Sequence, residues 1–197
     1  MTEPSPTRPR LDSDRWLRDH GDYLYRYARV RLHDDQLAEE AVQETLVSAL
    51  SGQSRFAGRS SERTWLTGIL RHKIVDQIRR RVREQPMDVA SDPIAGVDGD
   101  FDETGHWKQS APAAWPDNPE NSFSKQQFWA QFQACIGRLK PNLRAAFVLR
   151  ELEEKSSEEI CNILNVSSTN LWVILHRARH HLRKCLETHW FSAESRP

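Results

Sequence analysis

The chain has 197 residues, which is enough for one medium domain or two small ones, and 38% of them are hydrophobic. It holds 28 Lys and Arg against 28 Asp and Glu, so the formal net charge is zero and overall basicity gives no argument for nucleic-acid binding. No apolar run approaches the length of a membrane span and no signal-peptide core is present, so we expect a cytoplasmic protein without membrane insertion.

The charges are nevertheless segregated along the chain. Residues 54–83 hold nine Lys and Arg against two acids, and residues 84–121 hold nine acids against one Lys. Residues 171–185 hold four Lys and Arg, three His and no acid. Successive segments of opposite net charge indicate more than one kind of binding surface.

The N-terminal part predicts three helices after a tail at residues 1–11. The first helix begins near Asp12, with Asp12 or Ser13 as its N-cap, and ends at His33. Asp34 and Asp35 open the second helix, whose apolar stripe runs to Leu50. A third helix covers about residues 61–83, with one apolar face and one arginine-rich face.

Residues 85–121 contain five prolines and many aspartates without a sustained period, which is typical of an inter-domain linker. Residues 122–191 then predict a second helical domain, with a tail at 192–197. Ser156 and Glu159 form a capping box, and Ser167 or Ser168 caps a final basic helix. The fold class predicted is all-α, with two small helical domains and no strand.

The short turn at residues 165–167 makes the last two helices a candidate helix-turn-helix. In this motif the second helix presents its first residues to base edges, and later basic residues meet phosphates. Asn170 suits a bidentate contact with adenine. The alternative is a helical hairpin with solvated arginines. The candidate DNA contacts are Ser168, Thr169, Asn170, Trp172, Arg177, Arg179 and Arg183.

Two further surfaces lie in the N-terminal part. Single-stranded bases can stack on aromatic side chains that alternate with cations, and the third helix and the residues before it contain such a pattern. The alternative for Trp65 is a place on the apolar core face of this helix. The acidic second helix suits a protein partner, unless its acids only complement the helix dipole. The nucleic-acid candidates are Phe56, Arg63, Trp65, Arg71, His72, Lys73, Arg79 and Arg80; the acidic-face residues are Asp35, Glu39, Glu40, Gln43 and Glu44.

From about residue 14 to residue 191 the chain resembles the extracytoplasmic-function (ECF) sigma factors of bacterial RNA polymerase. The resemblance rests on four segments in order: the acidic 35–45, Arg55-Phe56 with 65–80, Leu139-x-Pro141 with Arg144 and Phe147, and 159–179. It implies a region 2 domain at 12–84 and a region 4 domain at 122–191. Region 2 would dock through the acidic helix on the clamp helices of the largest polymerase subunit and melt the −10 element, and region 4 would read the −35 element.

The resemblance also implies three partners: core RNA polymerase, promoter DNA and an anti-sigma factor. The chain departs from the family pattern at His72, where Asn is usual in the pocket for a flipped base, and at Trp172 and Ile174, where a basic residue is usual. The linker is longer and more acidic than is typical. Its acids either mimic nucleic acid in the RNA channel of the polymerase or keep a tether soluble.

Other functions are less well supported by the residues. A stand-alone helix-turn-helix regulator would explain residues 156–183 but not the arginine-rich third helix. A metal- or redox-dependent protein is the second alternative, with His181, Cys185 and His189 as candidates, but they are weak metal ligands because groups along one straight helix rarely converge. The odd cysteine count without a CxxC motif favours reduced thiols. No nucleophile elbow or phosphate loop is present, so we expect neither catalysis nor a cofactor.

Overall fold

The computed structural model describes residues 11–84 and 122–191. Within these ranges the protein is helical and contains no strand, which confirms the all-α prediction. The chain divides into two compact units, Met1–Arg83 and Glu84–Pro197. The predicted acidic linker at 85–121, and residues 1–10 and 192–197 of the predicted tails, lie outside the described residues.

The first unit consists of three helices: α1 Trp16–Leu32, α2 Asp35–Gly52 and α3 Glu62–Glu84. The predicted break between α1 and α2 is confirmed, because His33 is left-handed at φ 51° and the Asp34 carboxylate accepts the backbone N–H of Leu37. The predicted cap of α1 is wrong. A 3₁₀ turn, Ser13–Arg15, precedes the helix, and neither Asp12 nor Arg15 makes a side-chain capping bond.

An apolar layer drawn from all three helices forms the core of the first unit. Leu24, Leu66, Leu70 and Ile74 are fully buried, and the hydroxyl of buried Thr45 donates to the Ala41 carbonyl at 2.7 Å. Burial of side chains of this size stabilises a fold by about 1.5–3 kcal/mol each. Leu50, which we predicted on the buried stripe of α2, is instead 52% exposed.

The second unit consists of α4 Ser122–Arg138, α5 Pro141–Phe147, α6 Ser157–Leu164 and α7 Ser168–Leu186. Single π-helical turns follow α5 at Val148–Leu152 and α7 at Glu187–Phe191. Pro141 occupies the first turn of α5, where its missing N–H has no partner to lose. The capping box is confirmed: Ser156 Oγ accepts the Glu159 N–H, and the Glu159 carboxylate accepts the Ser156 N–H.

Helix α7 is the centre of the second unit, since α4, α5 and α6 all pack against it. Its buried face carries Leu171, Ile174, Ala178 and Leu182. At the far end, a disulfide joins Cys135 of α4 to Cys185 of α7, with the two Cα atoms 5.8 Å apart. No helix in the described residues is both long and apolar enough to cross a bilayer.

Candidate nucleic-acid and protein interfaces

The turn between α6 and α7 has the tight geometry of a helix-turn-helix. Asn165 ends α6 in the left-handed conformation at φ 53°, a region that Asn tolerates better than most residues. Two residues later, Ser167 Oγ accepts the backbone N–H of Asn170 at 3.2 Å and so caps α7. The turn is therefore fixed at both ends, and it leaves the first turn of α7 in solvent.

The leading residues of α7 form an exposed polar surface. Ser168, Thr169 and Asn170 are exposed, and the Trp172 side chain is 45% exposed. The indole of Trp172 stacks on the imidazole of buried His176, with ring centroids 5.2 Å apart. The stacking on His176 thus holds a large, partly exposed aromatic side chain in place near the start of α7.

The three arginines predicted to meet phosphates differ in their surroundings. Arg177 is buried at 7% exposure, because it lies between the buried positions Ile174 and Ala178 on α7, and we therefore remove it from the predicted DNA contacts. Arg179 lies 2.8 Å from a Glu151 carboxylate oxygen, and Arg183 is paired with Glu187. The Arg179–Glu151 pair is exposed and contributes about 0–1 kcal/mol, so a phosphate can replace its carboxylate, whereas the Arg183 side chain is only 22% exposed.

On α3 the predicted aromatic residues lie mainly inside the first unit. The Phe56 ring is buried, and Trp65 is half-buried between Phe56 and Trp16, with centroid distances of 5.1 and 5.7 Å. The core role that the helical spacing of Trp65 also predicts is the one that the structure favours. Phe56 has the same role, so neither ring offers a free face for base stacking in this conformation.

The exposed side of α3 is a stripe with a spacing of four residues: Thr64, Gly68, His72, Asp76 and Arg80. A Cβ built on Gly68 would meet no atom within 4 Å, so the helix backbone is open to solvent at this point. Because His72 follows one turn later, its exposed imidazole borders this open segment.

The remaining predicted cations flank this stripe. Arg79 pairs with Asp76 of the same helix at 3.0 Å, and the Arg63 guanidinium lies 5.3 Å from the centroid of the Tyr23 ring. Arg71 is half-buried. These side chains surround the stripe with positive charge without covering His72.

The acids of α2 and the cations of α3 pair with each other, which the sequence analysis did not foresee. Arg80 lies 3.3 Å from a Glu40 oxygen, Lys73 lies 3.5 Å from Glu44, and Arg81 lies 3.6 Å from Asp34. All these groups are partly exposed, so each pair is weak. One edge of the candidate DNA surface therefore adjoins the candidate protein surface.

The exposed face of α2 has an acidic beginning and an apolar end. Glu39 and Gln43 are exposed, and the same face continues through Val47 and Leu50, whose side chains are 63% and 52% exposed. The sequence analysis does not name Val47 and assigns Leu50 to the buried stripe, although their spacing of four and seven from Gln43 places both on this face. Exposed apolar side chains in a row beside polar ones are typical of a protein interface.

Asp35 is one of the acids predicted to dock on the polymerase, but its carboxylate already accepts hydrogen bonds from α1. Its carboxylate accepts the Tyr25 hydroxyl at 2.8 Å and the Arg29 Nε–H. The Tyr25 hydrogen bond, followed by the Arg29 bond, lowers the pKa of Asp35, and the same hydrogen bond raises the pKa of Tyr25. Asp35 therefore fixes the α1–α2 junction besides contributing charge.

The structure does not support the candidate metal ligands. Cys185 is in a disulfide, and the described residues contain no group of three His, Cys, Asp or Glu placed to hold an ion. The expectation of reduced thiols is also wrong for this pair; only Cys161 is a free thiol. The two bonded cysteines are 50 residues apart, and helical periodicity does not reveal which distant helices become neighbours.

Comparison with known proteins gives the same two units. The sigma-70 region 2 family matches residues 16–84, and the sigma-70 region 4 family matches residues 129–182. A Haemophilus influenzae protein named "Probable RNA polymerase sigma factor" is 33% identical over 88% of this chain and 89% of its own length. The ECF sigma factor SigE of Mycolicibacterium smegmatis is 30% identical over 89% of this chain and 62% of its own length.

Among solved structures, the chain is similar to the sigma factor RpoE of Bartonella quintana, which was crystallised with the anti-sigma factor NepR. The identity is 24%, the TM-score is 0.40, and the match covers 89% of this chain and 97% of that one. From its two region matches and its relatives, the chain belongs to the ECF class of sigma-70 RNA polymerase sigma factors.

Proposed function

We propose that the protein docks on core RNA polymerase through α2 and uses α3 and α7 to recognise the −10 and −35 promoter elements. The observation that carries this proposal is that two sigma regions, matched in order, fall on two separate compact units, each with an exposed helix suited to nucleic acid. A stand-alone regulator is not favoured, because it would have no use for a region 2 unit.

Docking is assigned to the face of α2 that runs from Glu39 through Gln43 and Val47 to Leu50. Acidic and apolar side chains on one exposed helical face suit a partner helix of opposite charge, such as the clamp helices of the largest polymerase subunit. Glu40 and Glu44 sit at the margin of this face, where they also hold Arg80 and Lys73 of α3.

Recognition and opening of the −10 element is assigned to the exposed stripe of α3 and its flanking cations. His72 stands where the family usually has Asn; an imidazole can donate to a base or stack on it. Arg63, Arg79 and Arg80 would hold the phosphates. Duplex opening needs no hydrolysis by this protein, because binding to an extruded base offsets an unpairing cost of a few kcal/mol.

Reading of the −35 element is assigned to Ser168, Thr169, Asn170 and Trp172. Asn170 would read a base edge, while Arg179 and Arg183 would meet phosphates after exchange with their carboxylate partners. Trp172, standing where a basic residue is usual, would replace a charged contact by an apolar one. The −35 sequence preferred by this protein should therefore differ from that of relatives with a basic residue there.

An anti-sigma factor is the third partner that we propose, on the basis of class membership. Such an inhibitor would compete with polymerase for the α2 face, because both partners would bury the exposed apolar side chains Val47 and Leu50. The competition is measurable with purified components, since addition of core polymerase should release a bound inhibitor.

The decisive experiment is run-off transcription by sigma-free core polymerase on genomic fragments, with and without the purified protein. We expect discrete start sites only when the protein is present. Arg79→Ala should weaken transcription from all promoters alike, because it removes a phosphate contact. If no template yields start-site-specific transcripts, the proposed function is wrong.

A further inference from the structure

The Cys135–Cys185 disulfide lies in the wall of a surface cavity of about 330 Å³ in the second unit. The cavity is formed by the last turn of α4, the start of α5 and the C-terminal end of α7 with the turn that follows. A cavity of this volume admits a small molecule. Polymerase docking is assigned to the first unit, and none of the residues that line the cavity is among the proposed DNA contacts.

The cavity is strongly cationic. Arg138, Lys140 and Lys184 line it together with His181 and His189, and none of the described residues that line it is Asp or Glu. The Arg138 guanidinium lies beside the disulfide, with Nη1 3.7 Å from Cys185 Sγ. Converging positive groups in a concave surface concentrate anions and accelerate their arrival.

The two sulfurs are not equally accessible. The Cys135 side chain is 1% exposed, whereas Cys185 is half-buried and Arg138 beside it is exposed. A molecule that enters the cavity from solvent therefore meets Cys185 first. Thiol–disulfide exchange requires in-line access of a thiolate to one sulfur, so the geometry selects Cys185 as the sulfur attacked.

We propose that this cavity is a thiol–disulfide exchange site for small anionic thiols. The incoming thiolate bonds to Cys185 Sγ while the Cys135–Cys185 bond breaks, and Cys135 leaves as a thiolate that takes a proton from water. A second thiolate then attacks the sulfur of the bound small molecule and releases the Cys185 thiolate. Two small thiols are thereby oxidised to one disulfide, and the protein disulfide is reduced by two electrons.

Exchange at this site changes how the second unit is held together. The disulfide fastens α4 to the end of α7, and α7 is the helix that carries Asn170. Without it, α4 is held by the Phe128 ring against Trp190, by the Phe132 ring against Phe147 of α5, and by the hydrogen bond that Arg144 donates to the Gly137 carbonyl. Reduction removes a constraint on the unfolded chain, so the melting temperature of the second unit should fall by at least about 8 °C.

The test compares three reductants of different charge on the full chain with Cys161→Ser, which leaves one cysteine pair. In the attacking thiolate form, glutathione is the most negative of the three, 2-mercaptoethanol carries only its thiolate charge, and the ammonium of cysteamine cancels that charge. After correction for thiolate fraction and intrinsic nucleophilicity, we expect glutathione to be faster than cysteamine by about tenfold at low salt. This preference should disappear at 1 M salt, where the Debye length is about 3 Å.

Two variants separate the site from general surface charge. Arg138→Gln with Lys184→Gln should abolish the preference for glutathione, whereas Arg150→Gln, an exposed arginine outside the cavity, should retain it. Mass spectrometry of the quenched reaction should find the mixed disulfide on Cys185. Equal corrected rates for the three thiols, a salt-independent preference, or a mixed disulfide on Cys135 would each overturn the proposal. None of these measurements depends on transcription, so the proposal is tested separately from the proposed function.

Discussion

The Arg80 guanidinium of α3 lies 3.3 Å from the Glu40 carboxylate of α2, so a residue proposed to hold DNA is paired with one at the margin of the polymerase face. Both side chains are more than one-third exposed, and pairs of this kind contribute at most about 1 kcal/mol. The ion pair therefore has little effect on folding, but it sets how much positive charge α3 offers to a phosphate.

Replacement of Glu40 should therefore strengthen DNA binding without much change in stability. Glu40→Gln releases Arg80 from a competing carboxylate, and we expect a several-fold gain in affinity for promoter DNA at low salt that vanishes at high salt. Fluorescence anisotropy of the isolated protein measures the effect. Glu39→Gln removes the same charge from an exposed neighbour on α2 and is the matched control.

The pairing itself can be isolated by a double-variant cycle. If Arg80 carries the effect, Glu40→Gln should change affinity little in an Arg80→Gln background, because the released cation is no longer there. An identical gain in both backgrounds would show that Glu40 acts only through the general field of the unit.

Asn170→Ala should relax the preference at one base position of the −35 element. The loss of a bidentate base contact costs about 1–3 kcal/mol on the matched promoter and little on a promoter already mismatched there. Arg179→Ala is the contrasting variant, since the loss of a phosphate contact should weaken matched and mismatched sites alike. Competition binding against a panel of single-base promoter variants distinguishes the two patterns. An equal loss on every member for Asn170→Ala would contradict direct base reading.

Val47 and Leu50 should contribute to polymerase binding without contributing to the fold. Replacement of both by Ser removes exposed apolar contacts from the α2 face, and we expect at least a tenfold weaker association with core polymerase, about 1.4 kcal/mol. Unfolding should change by no more than about 0.5 kcal/mol, as for other surface positions. Leu17→Ser, at a comparably exposed residue of α1, provides the control, and its binding should be unaltered. Unchanged binding by the Val47, Leu50 variant would remove the apolar half of this face from the interface.

The capping box predicts a specific dependence of stability on acid. Hydrogen bonds from Lys155 and the Ser156 N–H lower the pKa of Glu159 from 4.5 to about 2. Below pH 4.5 the unfolded chain therefore takes up a proton that the folded unit does not, and stability is lost as the pH falls towards 2. Thermal melts between pH 3 and 6 should show a shallower acid slope for Glu159→Gln than for the wild type. Glu158→Gln is the control; if it flattens the slope equally, the capping bonds are not the cause.

Sequence reasoning succeeded where the physical cause is local. The capping box of α6, the Asp34 cap of α2 and the turn at Asn165 depend on a few consecutive residues whose side chains satisfy nearby backbone groups. The face on which an apolar residue lies also follows from helical spacing. These signals were sufficient to establish an all-α chain with a helix-turn-helix.

The same reasoning failed where the cause is a contact between distant segments. Periodicity places Arg80 on the solvent side of α3 but does not show that Glu40 lies beside it. A charged residue predicts exposure, yet Arg177 is buried because its neighbours on α7 form the core contact. The Cys135–Cys185 bond depends on the packing of α4 against α7, which no local pattern encodes.

Gly68 leaves the middle of α3 without a side chain, at a point where a methyl group would touch nothing in the protein. Glycine in an exposed helix interior costs about 1 kcal/mol relative to alanine, so the folded unit would be more stable with Gly68→Ala. The open space at Gly68 thus makes the helix less stable, and it allows a nucleotide to contact the peptide groups directly, one turn before His72. If this open space serves that purpose, Gly68→Ala should have a higher melting temperature than the wild type and should be less effective in separating the two DNA strands.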